Sequence, residues 1–297
     1  MAATTIDEVL AQLQQTIADC ENRNDRAGYF ASLYYKVTDQ VRQGIANNDF
    51  EDGARMERLD VLFANRYLDA LYSWRNDRPL TRSWQVALDA TRQTSLLTLQ
   101  HLLLGINAHI NLDLGIAAVE TARAQGQPIQ TIHKDFDAIN AILGALTYQV
   151  LHDVNQISPL ISLLGVHENH TESILIQFSI GNARDGAWCF AEALSPLTGD
   201  AQTAAITQRD NDIAVLARQL VTTRGFIRLT VALIHLFEWK NPRRIMRVLN
   251  GYKKSFIQVR PGAAAGVTAG VTAGVTTGTT AGVTAGAAAA PGAQSHP

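Results

Sequence analysis

The stretch of sequence that decides the fold is Gln100-His-Leu-Leu-Leu-Gly-Ile-Asn-Ala-His-Ile-Asn-Leu-Asp113. In an α-helix, residues four apart are offset by only about 40° around the axis, so one narrow polar stripe consists of His101, Gly105, His109 and Asp113. Nearly opposite lies a second polar group, formed by Gln100, Asn107 and Asn111. A helix at the protein surface gathers its polar residues on one solvated face. The pattern therefore predicts a helix that is buried on most sides, with two polar seams inside the core.

Most of the chain up to residue 258 shows the same helical period. Thr5-Ile6-Asp7-Glu8 fits a capping box in which Thr5 is the N-cap and Glu8 is its partner. Apolar residues then recur at three- and four-residue spacing, and stretches with proline or glycine interrupt them. The longest helical region runs from Trp84 to Arg123, and a convincing strand pattern is missing. We predict an all-α fold, a single bundle-like domain of about nine helices over residues 1–258.

Residues 259–297 form a low-complexity tail of glycine, alanine, valine and threonine, in which Ala-Gly-Val-Thr begins at positions 265, 269, 273 and 281. The tail has almost no large side chains, so it cannot bury enough apolar surface to offset the entropy that ordering costs. We therefore predict that it is disordered.

Charge and composition narrow the classes of function. The chain has 25 basic and 27 acidic residues, a formal net charge of −2 and no long run of one sign, which argues against a general nucleic-acid binder. Two cysteines are too few for a disulfide framework. Residues 96–119 are long and apolar enough to cross a bilayer, but their histidines, asparagines and aspartate favour a buried helix over a membrane span. The start of the chain lacks a secretory signal pattern, so we expect a cytoplasmic protein.

His109 and Asp113 are candidate metal ligands, because an imidazole and a carboxylate one helical turn apart can reach the same cation. Zinc is the divalent metal that suits this pair best. His101 lies two turns from His109, roughly 12 Å along the axis, which is too far to share that ion. The alternative is that hydrogen bonds to carboxylates hold these histidines in the core without a metal.

Other helices contribute further candidates. Asp60 stands between apolar neighbours, and Asp135 begins a helix, where it can reach the site or complement the helix dipole. Arg184 interrupts an apolar helix, and its guanidinium can bind a carboxylate or a phosphate through two hydrogen bonds. An internal ion pair of Arg184 with Asp185 or Asp60 is the alternative.

Four strings carry a family resemblance: Phe50-Glu-Asp-Gly-Ala-Arg-Met-Glu-Arg-Leu-Asp60, Phe63-Ala-Asn-Arg-Tyr67, His101-Leu-Leu-Leu-Gly-Ile-Asn-Ala-His-Ile-Asn-Leu-Asp-Leu-Gly115 and Asp135-Phe-x-x-Ile-Asn140. Over residues 25–255 the chain resembles an uncharacterised all-helical domain family of bacteria and some fungi, with the core motif HLLLGxNAHIxxDLG. That family has no established activity. The resemblance implies a helical fold and a recurring polar set, which is Asp60, Asn65, Arg66, His101, Asn107, His109, Asp113, Asp135 and Asn140.

Two functions are consistent with these residues. The first is a metal-dependent hydrolase of an ester or phosphoester, in which His109 and Asp113 hold the ion and a metal-bound water becomes the nucleophile. Its candidate catalytic residues are Asp60, His101 and Asp135. The second is a non-enzymatic helical protein that binds an apolar or amphipathic small molecule. Its candidate ligand-binding residues are Asn65, Arg66, Asn107, Asn140 and Arg184. In a third interpretation, both polar seams are internal hydrogen-bond networks of a scaffold.

Overall fold

The computed structural model describes residues 2–167 and 180–251, which form helices and connecting loops without a strand. In this part of the chain eleven α-helices follow one another: α1 (Ile6–Arg23), α2 (Gly28–Ala46), α3 (Gly53–Arg75), α4 (Arg82–Ala90), α5 (Thr98–Ala108), α6 (Gly115–Ala124), α7 (His133–Ile157), α8 (Ile180–Leu194), α9 (Gly199–Val221), α10 (Gly225–Phe237) and α11 (Pro242–Asn250). A π-helical turn, His109–Leu114, joins α5 to α6, and two 3-10 segments cover Ile129–Ile132 and Ile161–His167. The predicted all-α fold is confirmed, and the predicted tail lies outside the described residues.

The helix count exceeds the predicted nine because the region from Trp84 to Arg123 is not one helix. The first break is the loop between α4 and α5, where Gln93-Thr94-Ser95 supplies side chains that favour turns over helix. The second break is the π turn, in which backbone hydrogen bonds span five residues and not four. Because the π turn continues the same helical segment, the apolar period on either side of it did not reveal it.

The start of α1 follows the sequence prediction in part. Thr5 is the N-cap, and its hydroxyl oxygen accepts a hydrogen bond from the Glu8 backbone N–H at 3.2 Å. The Glu8 carboxylate, however, accepts hydrogen bonds from the backbone N–H and the hydroxyl of Thr4, at 2.7 and 2.8 Å. The capping box is therefore closed one residue earlier than predicted.

The segment from α5 to α6 forms the centre of the core, as its two polar seams predict. Its most apolar 18-residue window is 94% buried inside the fold. By length and composition this is the one helix of the described residues that could cross a bilayer, although the bent pair of α9 and α10 passes the same test when taken together. A Cβ atom at Gly105 would lie 2.4 Å from the Phe30 ring of α2. Phe30 therefore fills the space beside Gly105.

Two large apolar clusters enclose this central segment. One includes Tyr67 of α3 and Trp84 of α4, and the other includes Met56 of α3 and Phe136 of α7. A third, smaller cluster joins α10 to the 3-10 segment Ile161–His167. The two large clusters meet around the π turn, and this is where the candidate site lies.

Candidate functional site

A cavity of about 310 Å³ lies beside the π turn, between α2, α3, α5, α7 and α8. Its walls are mainly leucine, isoleucine, valine and phenylalanine side chains. Four of its lining residues carry polar side chains, and these are Tyr34, Asp60, His109 and Arg184. A mostly apolar cavity with a few converging polar groups is the usual form of a small-molecule site.

His109 is held in place by the carboxylate of Asp113, which is itself fixed from two directions. Asp113 Oδ1 accepts a hydrogen bond from Arg66 Nε at 2.8 Å, and Oδ2 accepts one from Trp84 Nε1 at 2.7 Å. The same Oδ2 lies 3.4 Å from His109 Nδ1. Burial opposes ionisation of Asp113, but the charge of Arg66 and the hydrogen bonds from His109 and Trp84 hold its pKa below the ordinary value.

These contacts determine which nitrogen of His109 is protonated. Burial lowers the pKa of His109, and the charge of Arg66 adds to that effect while Asp113 opposes it, so the ring is neutral. With an ionised carboxylate beside Nδ1, the single proton belongs on Nδ1, and Nε2 carries a lone pair. Nε2 is buried and finds no hydrogen-bond partner among the described residues. His109 therefore presents an unused acceptor where it lines the cavity.

Aromatic rings fix the plane of the His109 imidazole. Phe63 of α3 stacks on it with ring centroids 3.5 Å apart, and Tyr34 of α2 meets it edge-on at 4.5 Å. Rings packed on a face and on an edge leave the imidazole little freedom to rotate. The direction of Nε2 is thus set by packing as well as by Asp113.

Asp60 is a second buried acceptor in the cavity wall. Its side chain lies on α3, and its Oδ2 atom has no hydrogen-bond partner in the described part of the chain. Burial raises the pKa of Asp60 to about 7, and the nearby charge of Glu57 contributes to the rise. Asp60 can therefore exchange a proton near neutral pH.

Arg184 brings a positive charge to the cavity from α8. Its Nε donates to Asn140 Oδ1 at 2.6 Å, another guanidinium nitrogen donates to the backbone oxygen of Phe136, and its carbon lies 4.5 Å from the centre of the Phe136 ring. Burial lowers its pKa to about 10. Within residues 2–167 and 180–251, no carboxylate oxygen lies within 4.0 Å of this group. The alternative ion pair with Asp185 or Asp60 is thus not formed, and neutral acceptors hold the guanidinium.

Two of the predicted site residues support the fold at a distance from the cavity. Asn65 exchanges two hydrogen bonds with the backbone of Ala3, at 2.8 and 2.9 Å. Asp135 accepts hydrogen bonds from Arg55 at 2.6 Å and from the Glu51 backbone N–H at 2.6 Å, and it thereby ties α7 to the start of α3. Neither side chain lines the cavity.

The second polar seam of the central helix faces α9. Gln100 Nε2 donates to the backbone oxygen of Leu220 at 2.8 Å, and Asn107 Nδ2 donates to that of Ile213 at 3.1 Å. Asn111 donates in turn to Asn107 Oδ1 at 3.0 Å. This seam is a hydrogen-bond network inside the core, and the third interpretation of the sequence, in which both seams are such networks, stays a prediction.

His101 lies in a different, much smaller pocket of about 20 Å³, which it shares with Glu238 and Lys240. Burial lowers the pKa of His101 to about 3, with a further contribution from the charge of Arg26. Neither ring nitrogen has a hydrogen-bond partner among the residues described. The polar stripe is therefore divided, and His101 does not join His109 in one site.

The metal site predicted at His109 and Asp113 remains a prediction. Among the described residues, no three His, Cys, Asp or Glu side chains converge to hold an ion. Both Asp113 oxygens already accept hydrogen bonds, from Arg66 and Trp84, so a cation would compete with a guanidinium for the same lone pairs. The contacts favour a different role for Asp113, that of orienting His109.

Sequence reasoning missed three aromatic residues of the site, which are Tyr34, Phe63 and Trp84. Each falls on an apolar helix face, where the sequence signal is that of an ordinary core residue. The polar contact of Trp84 with Asp113 joins residues 29 positions apart. No local pattern could have identified these side chains as part of the site.

A model of the family of unknown function DUF5995 matches residues 6–223. The match contains the central helix, the π turn and every residue that lines the larger cavity. No curated protein and no solved structure matches the chain significantly. Because the family match covers well over half of the 297 residues, this protein belongs to the DUF5995 family of unknown function.

Proposed function

We propose that this protein binds an apolar small molecule carrying an acidic group, in the cavity beside His109. The single observation that carries the proposal is a mostly apolar cavity of about 310 Å³ with a buried arginine in its wall. The volume falls within the roughly 300–1,000 Å³ range of small-molecule sites, at its lower end. An occupant of that size gains affinity from each apolar group that it removes from water.

Arg184 favours a ligand that carries an acidic head group. Burying a charge costs free energy, and the hydrogen bonds of Arg184 within the described residues go to the neutral oxygens of Asn140 and Phe136, while the charges of Asp137 and Asp185 act on it from a greater distance. A carboxylate or similar group on the ligand would compensate that charge and accept charge-assisted hydrogen bonds. Arg66, the other candidate anchor, is engaged by Asp113 and is less suited to the role.

The acceptor atoms elsewhere in the wall suit a hydroxyl group of the same ligand or a water molecule bound beside it. His109 Nε2 and Asp60 Oδ2 are buried and have no partner in the described chain. A donor that reaches either atom would recover the free energy lost by burying it unpaired, about 1–3 kcal/mol.

A fluorescence titration tests the proposal. The anionic probe 1-anilinonaphthalene-8-sulfonate is bound to the full chain and displaced by decanoate or by decanol. We expect Arg184→Met to weaken decanoate binding about 10- to 100-fold and to leave decanol unchanged, because the variant loses a charge-assisted hydrogen bond. Arg209→Met is the matched control, since Arg209 is also partly buried with backbone-oxygen acceptors but does not line the cavity.

A second variant keeps this test decisive. Ile106 lines the cavity, so Ile106→Trp should fill it and abolish displacement by both compounds. Unchanged decanoate binding in Arg184→Met, or unchanged binding of both compounds in Ile106→Trp, would contradict the proposal.

The geometry of His109 favours one further candidate, hydrolysis of an ester bound in the same cavity. A neutral imidazole whose Nδ1 faces a carboxylate and whose Nε2 is unused has the arrangement of a general base. His109 Nε2 would take a proton from a water molecule as its oxygen attacks the ester carbonyl carbon. Asp60, with a pKa of about 7, would supply a proton to the departing alkoxide.

Hydrolysis of 4-nitrophenyl octanoate by the full chain tests this candidate. His109→Gln should lower the rate about 100-fold or more, the usual contribution of a positioned base. His133→Gln is the matched control, because His133 faces Asp137 in an exposed pair of the same spacing. Activity that is lost on addition of a chelator and restored by zinc would support the metal-dependent hydrolase instead. A rate equal to that in buffer alone would contradict both hydrolytic candidates.

A further inference from the structure

Helix α10 exposes an apolar face that is unusual for a protein surface. Leu229, Leu233, Leu236 and Phe237 are between 45% and 71% exposed. They lie at i, i+4, i+7 and i+8, so they share one side of the helix. We call these four side chains the α10 outer face. A contiguous exposed patch of this kind marks an interaction site.

The opposite side of α10 holds the helix in this orientation. Val231 and Ile234 are buried against Leu97 and Leu164 in the third apolar cluster. The end of the helix is fixed as well, because the Trp239 backbone N–H donates to the Ile157 oxygen at 3.0 Å. The outer face therefore cannot turn inward without exposing the buried side of the same helix.

Basic residues lie at both ends of α10 and within it. Arg224 is the N-cap of α10, exposed Arg228 lies within the helix, and Lys240 donates to the His235 backbone oxygen at its far end. The wider stretch 218–247 contains seven basic residues, which are Arg218, Arg224, Arg228, Lys240, Arg243, Arg244 and Arg247. Its one acidic residue, Glu238, is buried and accepts a hydrogen bond from the Thr98 backbone N–H. A strongly basic segment thus stands out in a chain whose net charge is −2.

We propose that the α10 outer face docks on a membrane surface that contains anionic lipids. Leucine and phenylalanine side chains would enter the boundary between head groups and acyl chains, and the flanking arginines and lysine would contact lipid phosphates. The combination of an apolar face with basic residues around it is the composition of a helix that lies in this boundary.

A second copy of the chain fits this face less well. Four side chains expose a few hundred Å² at most, whereas a stable protein interface buries roughly 800 Å² on each partner. Two copies meeting face to face would also bring their basic residues together, and like charges at an interface oppose association. Charge and area therefore both favour the lipid surface.

One side chain connects the apolar cluster beneath α10 with the apolar cavity, although the docking inference does not depend on the cavity having a ligand. Leu99 packs against the cluster beneath α10 and also lines the cavity. Leu151, another lining residue, is about half exposed.

Flotation of the full chain with lipid vesicles tests the inference. We expect the protein to float with vesicles of phosphatidylcholine and phosphatidylserine, to float much less with phosphatidylcholine alone, and to be released by high salt, which screens charge. Leu229→Ser/Leu236→Ser should lower the partition coefficient by up to about tenfold for each leucine. Arg224→Gln/Arg228→Gln should lower it for the mixed vesicles only. Tyr72→Ser is the matched control, since Tyr72 is a half-exposed apolar residue on α3.

Three results would overturn the inference. The first is that the wild-type chain fails to float with the mixed vesicles at low salt. The second is that Leu229→Ser/Leu236→Ser floats like the wild type, which would assign the binding to another part of the chain. The third is that light scattering finds a dimer that the same double variant dissociates, because a second copy would then cover the face. Folding of the variants is checked by circular dichroism, and both leucines are exposed, so the fold does not depend on them.

Discussion

The buried carboxyl group of Asp60 makes a contribution to the stability of this protein that falls as the pH rises. Burial, together with the charge of Glu57, raises the pKa of Asp60 from 3.8 to about 7 in the folded state. The unfolded chain loses this proton near pH 3.8, whereas the folded chain keeps it until about pH 7. The contribution of Asp60 to the free energy of unfolding is therefore greatest below the lower pKa, decreases through this window and levels off above the upper one.

The size of this effect follows from the two pKa values. Between about pH 5 and pH 8 the folded state binds nearly one proton more than the unfolded state over about two pH units, which lowers the free energy of unfolding by about 3 kcal/mol. Asp60→Asn removes the titrating group with little change in shape. We expect the variant to gain about 3 kcal/mol relative to the wild type when the pH is raised over that range.

Urea denaturation at the two pH values measures this gain. The difference between Asp60→Asn and the wild type cancels the pH dependence of all other groups, since both chains share them. Asp69→Asn is the matched control, because Asp69 lies exposed on the same helix. If the difference for Asp60→Asn is the same at both pH values, the carboxylate is solvated or paired in solution, and the reasoning is refuted.

Two further predictions concern the core around the site. Arg66→Met leaves the Asp113 carboxylate buried without its cation. The free energy of unfolding, measured by urea denaturation, should therefore fall by about 3–5 kcal/mol. A loss below about 1 kcal/mol would mean that solvent replaces the guanidinium. Gly105→Ala should destabilise the fold by about 1–3 kcal/mol, because the new Cβ atom would lie 2.4 Å from Phe30. Gly144→Ala is the comparison, since Gly144 has open space in α7 and should gain about 0.5–1 kcal/mol. Equal effects of the two alanine variants in thermal denaturation would contradict the close approach at Gly105.

Some of the unpaired polar atoms of the described chain line the apolar cavity, while others, such as both ring nitrogens of His101 and the hydroxyl of Tyr67, lie elsewhere in the core. Asp60 and His109 each carry a buried atom without a partner in the described chain, and Arg184 carries a buried charge that only neutral oxygens contact. An ordinary core would satisfy or replace such groups, because each one destabilises the fold. Their placement around one apolar cavity is what a ligand with complementary polar groups would explain.

Part of this site could be predicted because it depends on local geometry. His109 and Asp113 are four residues apart on one helix, so their proximity needs no knowledge of the rest of the fold. Asp60 and Arg184 could be proposed as candidates because a charged residue among apolar neighbours stands out in a sequence. That both line one cavity with His109 could not be predicted, since it depends on how α3 and α8 pack against the central helix.

Other contacts around the predicted residues could not be predicted for the same reason. His101 and His109 share a helical stripe, yet neighbouring helices place them in different pockets. Asp135 suited a catalytic role by sequence, and its partner Arg55 is 80 positions away. Contacts between residues so far apart leave no recognisable pattern in the sequence.

The sequence by itself determined the helical fold, the burial of the segment around His109 and the polar residues that enter the core, because apolar periodicity and helix capping depend on residues within a turn or two. The tertiary structure alone decided which of those polar residues find partners and which remain free to meet a ligand. The ion pair of Arg66 with Asp113 joins residues 47 positions apart. The atoms of His109 and Asp60 that have no hydrogen-bond partner in the described chain likewise result from the packing of separate helices.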